Sequence, residues 1–114
     1  MEMSLKHLLS KLLSTERQSI IISYKQVPGL LVRCGKVVTF TTAADWRSLP
    51  IGGFTTVATI PEGWRPPDIV YVADATKSAV YIRILTDGSV QTYNSGSSVL
   101  AAQNGRYATT WVVE

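Results

Sequence analysis

The chain has 114 residues and a mass of 12.5 kDa, which is room for one domain and excludes a multidomain enzyme. Hydrophobic residues make up 46% and charged residues 17%, so the chain can fill a core and is not a disordered tail by composition. No segment approaches the roughly 20 apolar residues that cross a bilayer as a helix, so no membrane insertion is expected. The net charge of +3 comes from Lys and Arg spread singly along the chain. A nucleic-acid binder concentrates them on one helix or stripe, so nucleic acid is not an expected partner.

In chain order, Leu5, Leu8, Leu9, Leu12 and Leu13 recur at the spacing of one helical face, and Ser4 is placed to cap the first turn. This predicts an N-terminal amphipathic helix within residues 1–16, followed by a β domain over residues 17–114. A helix this short is marginal alone, because isolated helices need roughly 12–15 residues. Its leucines therefore require a partner, either the chain's own β domain or the same stripe in neighbouring copies. Closed cyclic symmetry is a common way to supply one, with the helices near the symmetry axis. Lys6, His7 and Lys11 interrupt the leucines and no small-residue cleavage site follows, so the segment does not read as a secretory signal. Synthesis in a reducing cytoplasm is expected, consistent with Cys34 as the lone cysteine, expected to be a small buried thiol.

After Thr15 the pattern becomes short strands rich in Val, Ile, Thr and aromatics. They are predicted at Gln18–Tyr24, Leu30–Cys34, Lys36–Thr42, Phe54–Ile60, Ile69–Ala73, Ala79–Leu85, Ser89–Tyr93 and Tyr107–Val113. Turn residues separate them, among them Pro28-Gly29, Gly52-Gly53, Pro61-Glu62-Gly63 and Asn104-Gly105. Asp87-Gly88 is the clearest hairpin signal and suggests a two-residue type I′ turn. Eight strands at this spacing predict a mainly β fold, an antiparallel β-sandwich or jelly-roll-like domain. Val80, Ile82 and Ile84 form one apolar face opposite Tyr81 and Arg83. Tyr107, Thr109, Trp111 and Val113 share a face opposite Ala108, Thr110 and Val112. Faces that are mixed rather than fully polar point to partial cover on the second side of the sheet.

Catalysis needs positioned acids, bases, nucleophiles or metal ligands. His7 is the only histidine and lies on the helix, and no HExxH, CxxC or phosphate-cradling glycine loop is present. Asp45, Asp68, Asp74 and Asp87 fall at turn-like positions that Asx turns explain. No enzyme activity, cofactor or metal is expected. The aromatic residues Tyr24, Trp46, Trp64, Tyr71, Tyr81, Tyr93, Tyr107 and Trp111 are the stronger lead. Rings beside Asp, Asn and Arg suit a sugar, whose C–H face stacks while its hydroxyls accept and donate hydrogen bonds. The competing reading is that they fill the core or a subunit interface.

Several segments together carry a resemblance. Val37-Val38-Thr39-Phe40 is followed by Trp46 with Leu49-Pro50, then by Ala58-Thr59-Ile60-Pro61-Glu62-Gly63-Trp64-Arg65-Pro66. Ile82-Arg83-Ile84, Asp87-Gly88-Ser89-Val90, Tyr93-Asn94 and Tyr107-Ala108-Thr109-Thr110-Trp111 come next. In this order they resemble the C-terminal head domains of tail-tip, baseplate and tail-fibre proteins of siphophages that infect Gram-positive bacteria, over about residues 30–114. The resemblance implies a β-sandwich head in the virion, assembled as a trimer beside other tail or baseplate proteins and recognising a host cell-surface saccharide. The alternatives are a purely structural virion component and a small bacterial carbohydrate-binding module. A binding site is expected as a shallow polar-aromatic groove between subunits, built from strand ends and loops, where Trp46, Arg47, Asp74, Tyr93, Asn94 and Arg106 are the candidates.

Overall fold

A computed structural model describes residues 15–22, 27–46, 49–76, 79–98 and 104–113. They form eight strands: β1 (Thr15–Ile22), β2 (Val27–Cys34), β3 (Val37–Asp45), β4 (Thr55–Thr59), β5 (Val70–Val72), β6 (Val80–Ile84), β7 (Ser89–Asn94) and β8 (Asn104–Val112). Two four-stranded sheets result, ordered β1-β2-β3-β8 and β4-β7-β6-β5, with every strand pair antiparallel. The protein is a β-sandwich. The chain lays down three strands of the first sheet, then all of the second, and returns to close the first with β8 against β3.

Each predicted strand is present. β1 begins at Thr15, so Thr15 and Glu16 belong to the sheet and not to the expected helical segment, pairing with Cys34 and Arg33. The helix with Leu5, Leu8, Leu9, Leu12 and Leu13 lies outside the described residues, as do Tyr24 and Arg47.

Side-chain alternation builds the core. Along β6, Val80, Ile82 and Ile84 are buried between half-buried Tyr81 and Arg83; along β7, Val90, Thr92 and Asn94 are buried in turn. The first sheet contributes Leu31, Val38, Phe40, Tyr107 and Trp111 to the same cluster, and the loops add Trp46, Leu49 and Ile60. Fully burying a side chain such as Leu31, Phe40 or Ile82 stabilises the fold by about 1.5–3 kcal/mol. Ala108 and Val112 are exposed and Tyr107 and Trp111 buried, as the β8 pattern predicts.

Two expectations are corrected. Cys34 is exposed rather than buried, because it ends β2 on the outward row opposite Val37, beside the Gly35-Lys36 turn. The β6–β7 hairpin is closed by three residues and not by a two-residue type I′ turn. The Gly88 N–H donates to Leu85 O at 2.9 Å, the Leu85 N–H donates to Ser89 O at 3.0 Å, and Gly88 has φ 90°. The loop Thr86-Asp87-Gly88 thus ends on a left-handed glycine. Gly88 is also irreplaceable for space, since a Cβ there would stand 2.5 Å from both Arg65 Nε and Ile60 O.

This hairpin tip is docked. The Ile60 N–H donates to Gly88 O at 2.8 Å, and Arg65 Nε donates back to Ile60 O at 2.8 Å. The loop from Pro61 to Pro67 is thereby fixed, with Trp64 packed against the core and its carbonyl accepting from Trp111 Nε1 at 2.8 Å. Asp87 closes the tip by accepting from the Ser89 N–H at 2.9 Å, which holds its carboxyl below the ordinary carboxylate range. The two most distinctive stretches of the resemblance, around Ile60–Pro66 and Asp87–Asn94, thus meet in space.

Candidate functional site

The outward face of the second sheet carries an unusual set of side chains. Antiparallel register places Tyr71, Arg83, Gln91 and Thr56 in one row across β5, β6, β7 and β4. Tyr81 and Tyr93 are direct partners two residues along, and the β4 bulge between Thr56 and Ala58 bends that edge. The row position follows from strand phase alone: if Val80, Ile82 and Ile84 point inward, Tyr81 and Arg83 must point out.

Phe54 completes the set from a loop. Gly52 and Gly53, at φ 70° and 65°, turn the chain before β4 in a conformation that L side chains rarely adopt. Asn94 anchors this turn: its carbonyl accepts from the Gly52 N–H at 3.0 Å and its Nδ2 donates to Leu49 O at 3.1 Å. Phe54 then stands 5.1 Å from Tyr93 and 6.1 Å from Tyr81 between ring centroids, while Tyr81 and Tyr93 stack at 5.3 Å. Edge and offset contacts of this kind each contribute about 0.5–1.5 kcal/mol beyond area burial.

Arg83 lies across the cluster. Its guanidinium carbon is 3.4 Å from the Phe54 ring centroid, a cation–π contact, and its Nε donates to Gln91 Oε1 at 2.7 Å. Gln91 Nε2 in turn donates to Thr56 Oγ1 at 3.2 Å. An apolar ring surface, a fixed cation and an oriented amide therefore share one face. Tyr71, opposite Arg83, is 64% exposed and leaves the face open to solvent in the single chain.

The five anticipated residues that the structure describes, Trp46, Asp74, Tyr93, Asn94 and Arg106, do not converge. Tyr93 alone belongs to this face. Trp46 is fully buried, with Nε1 donating to the Tyr107 hydroxyl at 3.0 Å, and that hydroxyl donates to Val80 O at 2.8 Å. It fills the core and offers no ring face to a ligand, because the sandwich closes over it. Asn94 is buried and structural, as above, and its Oδ1 accepts from the Gly96 N–H at 2.9 Å. Asp74 is buried as well. Its Oδ1 accepts from Thr76 N at 2.8 Å and from the Arg106 N–H at 2.8 Å. With Ala75 N donating to Arg106 O at 2.9 Å, both backbone groups of Arg106 on the β8 edge are covered. The Arg106 side chain is exposed and lines a concavity of about 560 Å³ on the first sheet, with Leu30, Thr41 and Ala43.

Phe54, Tyr81, Arg83 and Gln91 were not among those candidates. Strand phase placed Tyr81 and Arg83 together on one face of β6, but their neighbours come from β7 and the Gly52-Gly53 loop. Among the described residues, no three or more His, Cys, Asp or Glu side chains group as metal ligands. Compared with known proteins, the chain matches no family model, and no curated protein matches it in sequence.

Proposed function

We propose that this chain is the head of a phage or prophage tail-tip or baseplate receptor-binding protein, a homotrimer that recognises a saccharide on the surface of a Gram-positive host. The observation that carries the reading is the outward face of the second sheet, where Phe54, Tyr81 and Tyr93 form a ring cluster beside Arg83 and Gln91. Sugars are bound in this way, by stacking on rings with a few fixed polar groups for the hydroxyls. The sequence resemblance supports the assignment to a virion and to a trimer. The reading assigns no catalysis and no cofactor.

The opposite outer face suits contact between copies. Val37 is 43% and Val112 57% exposed there, with Thr39, Thr41, Ala43, Ala108 and Thr110 on the same face and Arg106 as the charge opposite Ala43. The leucine stripe of residues 5–13, outside the described residues, is the second element assigned to the trimer.

Titration with cell-wall polysaccharide from Gram-positive hosts tests the binding. Affinity per site is expected near millimolar, about −4 kcal/mol, and three sites per trimer raise avidity. Phe54→Ala and Tyr81→Ala should abolish it while sedimentation still gives a trimer. A stable monomer at high micromolar concentration overturns the trimer. Failure of an intact trimer to bind any host envelope leaves the second reading, a structural virion component, for which the same ring cluster serves a subunit interface, where aromatics are enriched.

A further inference from the structure

Arg83 is held in a way that exceeds what packing alone requires. Its Nε is committed to Gln91, whose amide is itself fixed by Thr56, and its guanidinium is held over Phe54. Among the described residues its two terminal nitrogens donate to no protein group. No Asp or Glu occurs on β4, β5, β6 or β7, so Arg83 is the only charge those strands carry. A guanidinium fixed through Nε and one face, with its outer N–H groups left over, is a fork prepared for a carboxylate or phosphate.

We infer that Arg83 reads an anionic group, and that the ligand of the outer face is an acidic saccharide bearing a carboxylate or a phosphate. This inference rests on the saccharide-binding reading above. It adds the chemical class of the ligand: the anion pairs with Arg83 while the sugar ring lies on the adjoining surface of Tyr81 and Tyr93, and Tyr71 flanks the pair across the register. A neutral sugar leaves the only charge of the sheet face without a partner.

The test uses the full chain and four probes at matched ionic strength: glucuronic acid, glucose 6-phosphate, glucose and inorganic phosphate, each followed by NMR shifts of the Arg83 Nε–H and the tyrosine rings. A charge-assisted bidentate contact predicts about ten-fold or greater preference for the two charged sugars over glucose. That preference should shrink with added salt. Arg83→Gln should remove the preference, so that the two charged sugars bind no more tightly than glucose does to the same variant. Arg83→Lys, which keeps the charge and loses the fork, should retain only part of it. Circular dichroism melts of both variants establish that they fold. Glucose binding as well as glucuronic acid, with Arg83→Gln indifferent, overturns the inference while the saccharide reading stands. Inorganic phosphate binding as well as glucose 6-phosphate overturns it too, because the sugar then contributes nothing. A lower oligomeric mass for Arg83→Gln overturns it by assigning the face to a subunit interface. Binding of none of the sugars removes the saccharide reading and the inference together.

Discussion

Two sets of three aromatic rings, with tyrosine common to both, behave in opposite ways. Inside the sandwich, Trp46, Tyr107 and Trp111 are buried and their polar tips are consumed: Trp46 by Tyr107, Tyr107 by Val80, Trp111 by the Trp64 carbonyl. Outside, Phe54, Tyr81 and Tyr93 touch chiefly one another and Arg83, and the hydroxyls of Tyr81 and Tyr93 bond no protein group among the described residues. Rings whose polar ends are spent serve stability. Rings whose polar ends are unspent, on an open face, are the ones that the proposed saccharide site uses. The Trp46–Tyr107 edge contact at 6.2 Å shows that ring geometry alone does not distinguish the sets; the hydrogen bonds do.

The division is sharpest where the expected losses are largest. Trp46→Ala should cost about 3–5 kcal/mol in denaturant unfolding, because it removes a fully buried ring and leaves a cavity. Tyr107→Phe keeps the ring and should still cost about 1–3 kcal/mol, since Trp46 Nε1 loses its buried acceptor and Val80 O its donor. Tyr81→Ala, outside, should cost only about 0.5–1.5 kcal/mol from lost ring contacts, together with loss of the proposed saccharide binding. A Tyr81→Ala penalty equal to that of Trp46→Ala in unfolding of the isolated chain would break the comparison. On the other outer face, Val112→Lys should lower the sedimenting mass and leave the unfolding free energy of the chain within about 0.5 kcal/mol.

The smallest effect concerns pH. The Asp87 carboxyl is stabilised as the anion in the folded hairpin, first by the Ser89 N–H. Its folded pKa lies below the unfolded value, so its contribution is complete above about pH 4 and fades as pH falls through the folded value. Asp87→Asn should therefore flatten the stability profile below pH 4 and leave the profile at neutral pH with the same slope. A stability curve for the variant that still falls in step with the parent's would exclude Asp87 as the titrating group.

The strands were legible because alternation is local: Val80, Ile82 and Ile84 declare their face without reference to any other strand. Asp74 was legible in part. Asp74 with Thr76, Asp87 with Ser89 and Asn94 with Gly96 all place a side-chain oxygen on the N–H two residues on, the Asx turn expected of such residues between strands. That these carbonyl and carboxylate groups are used up follows from the same pattern, and it removes Asp74 and Asn94 from the ligand set. The outer site was not legible, because it depends on register. Arg83 meets Gln91, and Tyr81 meets Tyr93, only after the β6–β7 hairpin has chosen a three-residue closure. Phe54 arrives through the Gly52-Gly53 turn, which Asn94 holds from a distant part of the chain. Trp46 carries no local sign that separates it from an exposed ring.

The pairing of β3 with β8 also sets an order of events. Asp45 meets Asn104 and Val37 meets Val112, with the whole of the second sheet intervening in the chain. β5, β6 and β7 pair through near neighbours, whereas β3 must keep one edge unpaired until the far strand arrives. Contacts so distant in sequence slow a chain's search. Until they form, the apolar residues Val38 and Phe40 stand beside an open strand edge, the element most prone to recruit a strand from another molecule. High-yield refolding of this protein is therefore expected to depend on dilution more than on temperature, with aggregation competing against the closure of the β3–β8 seam.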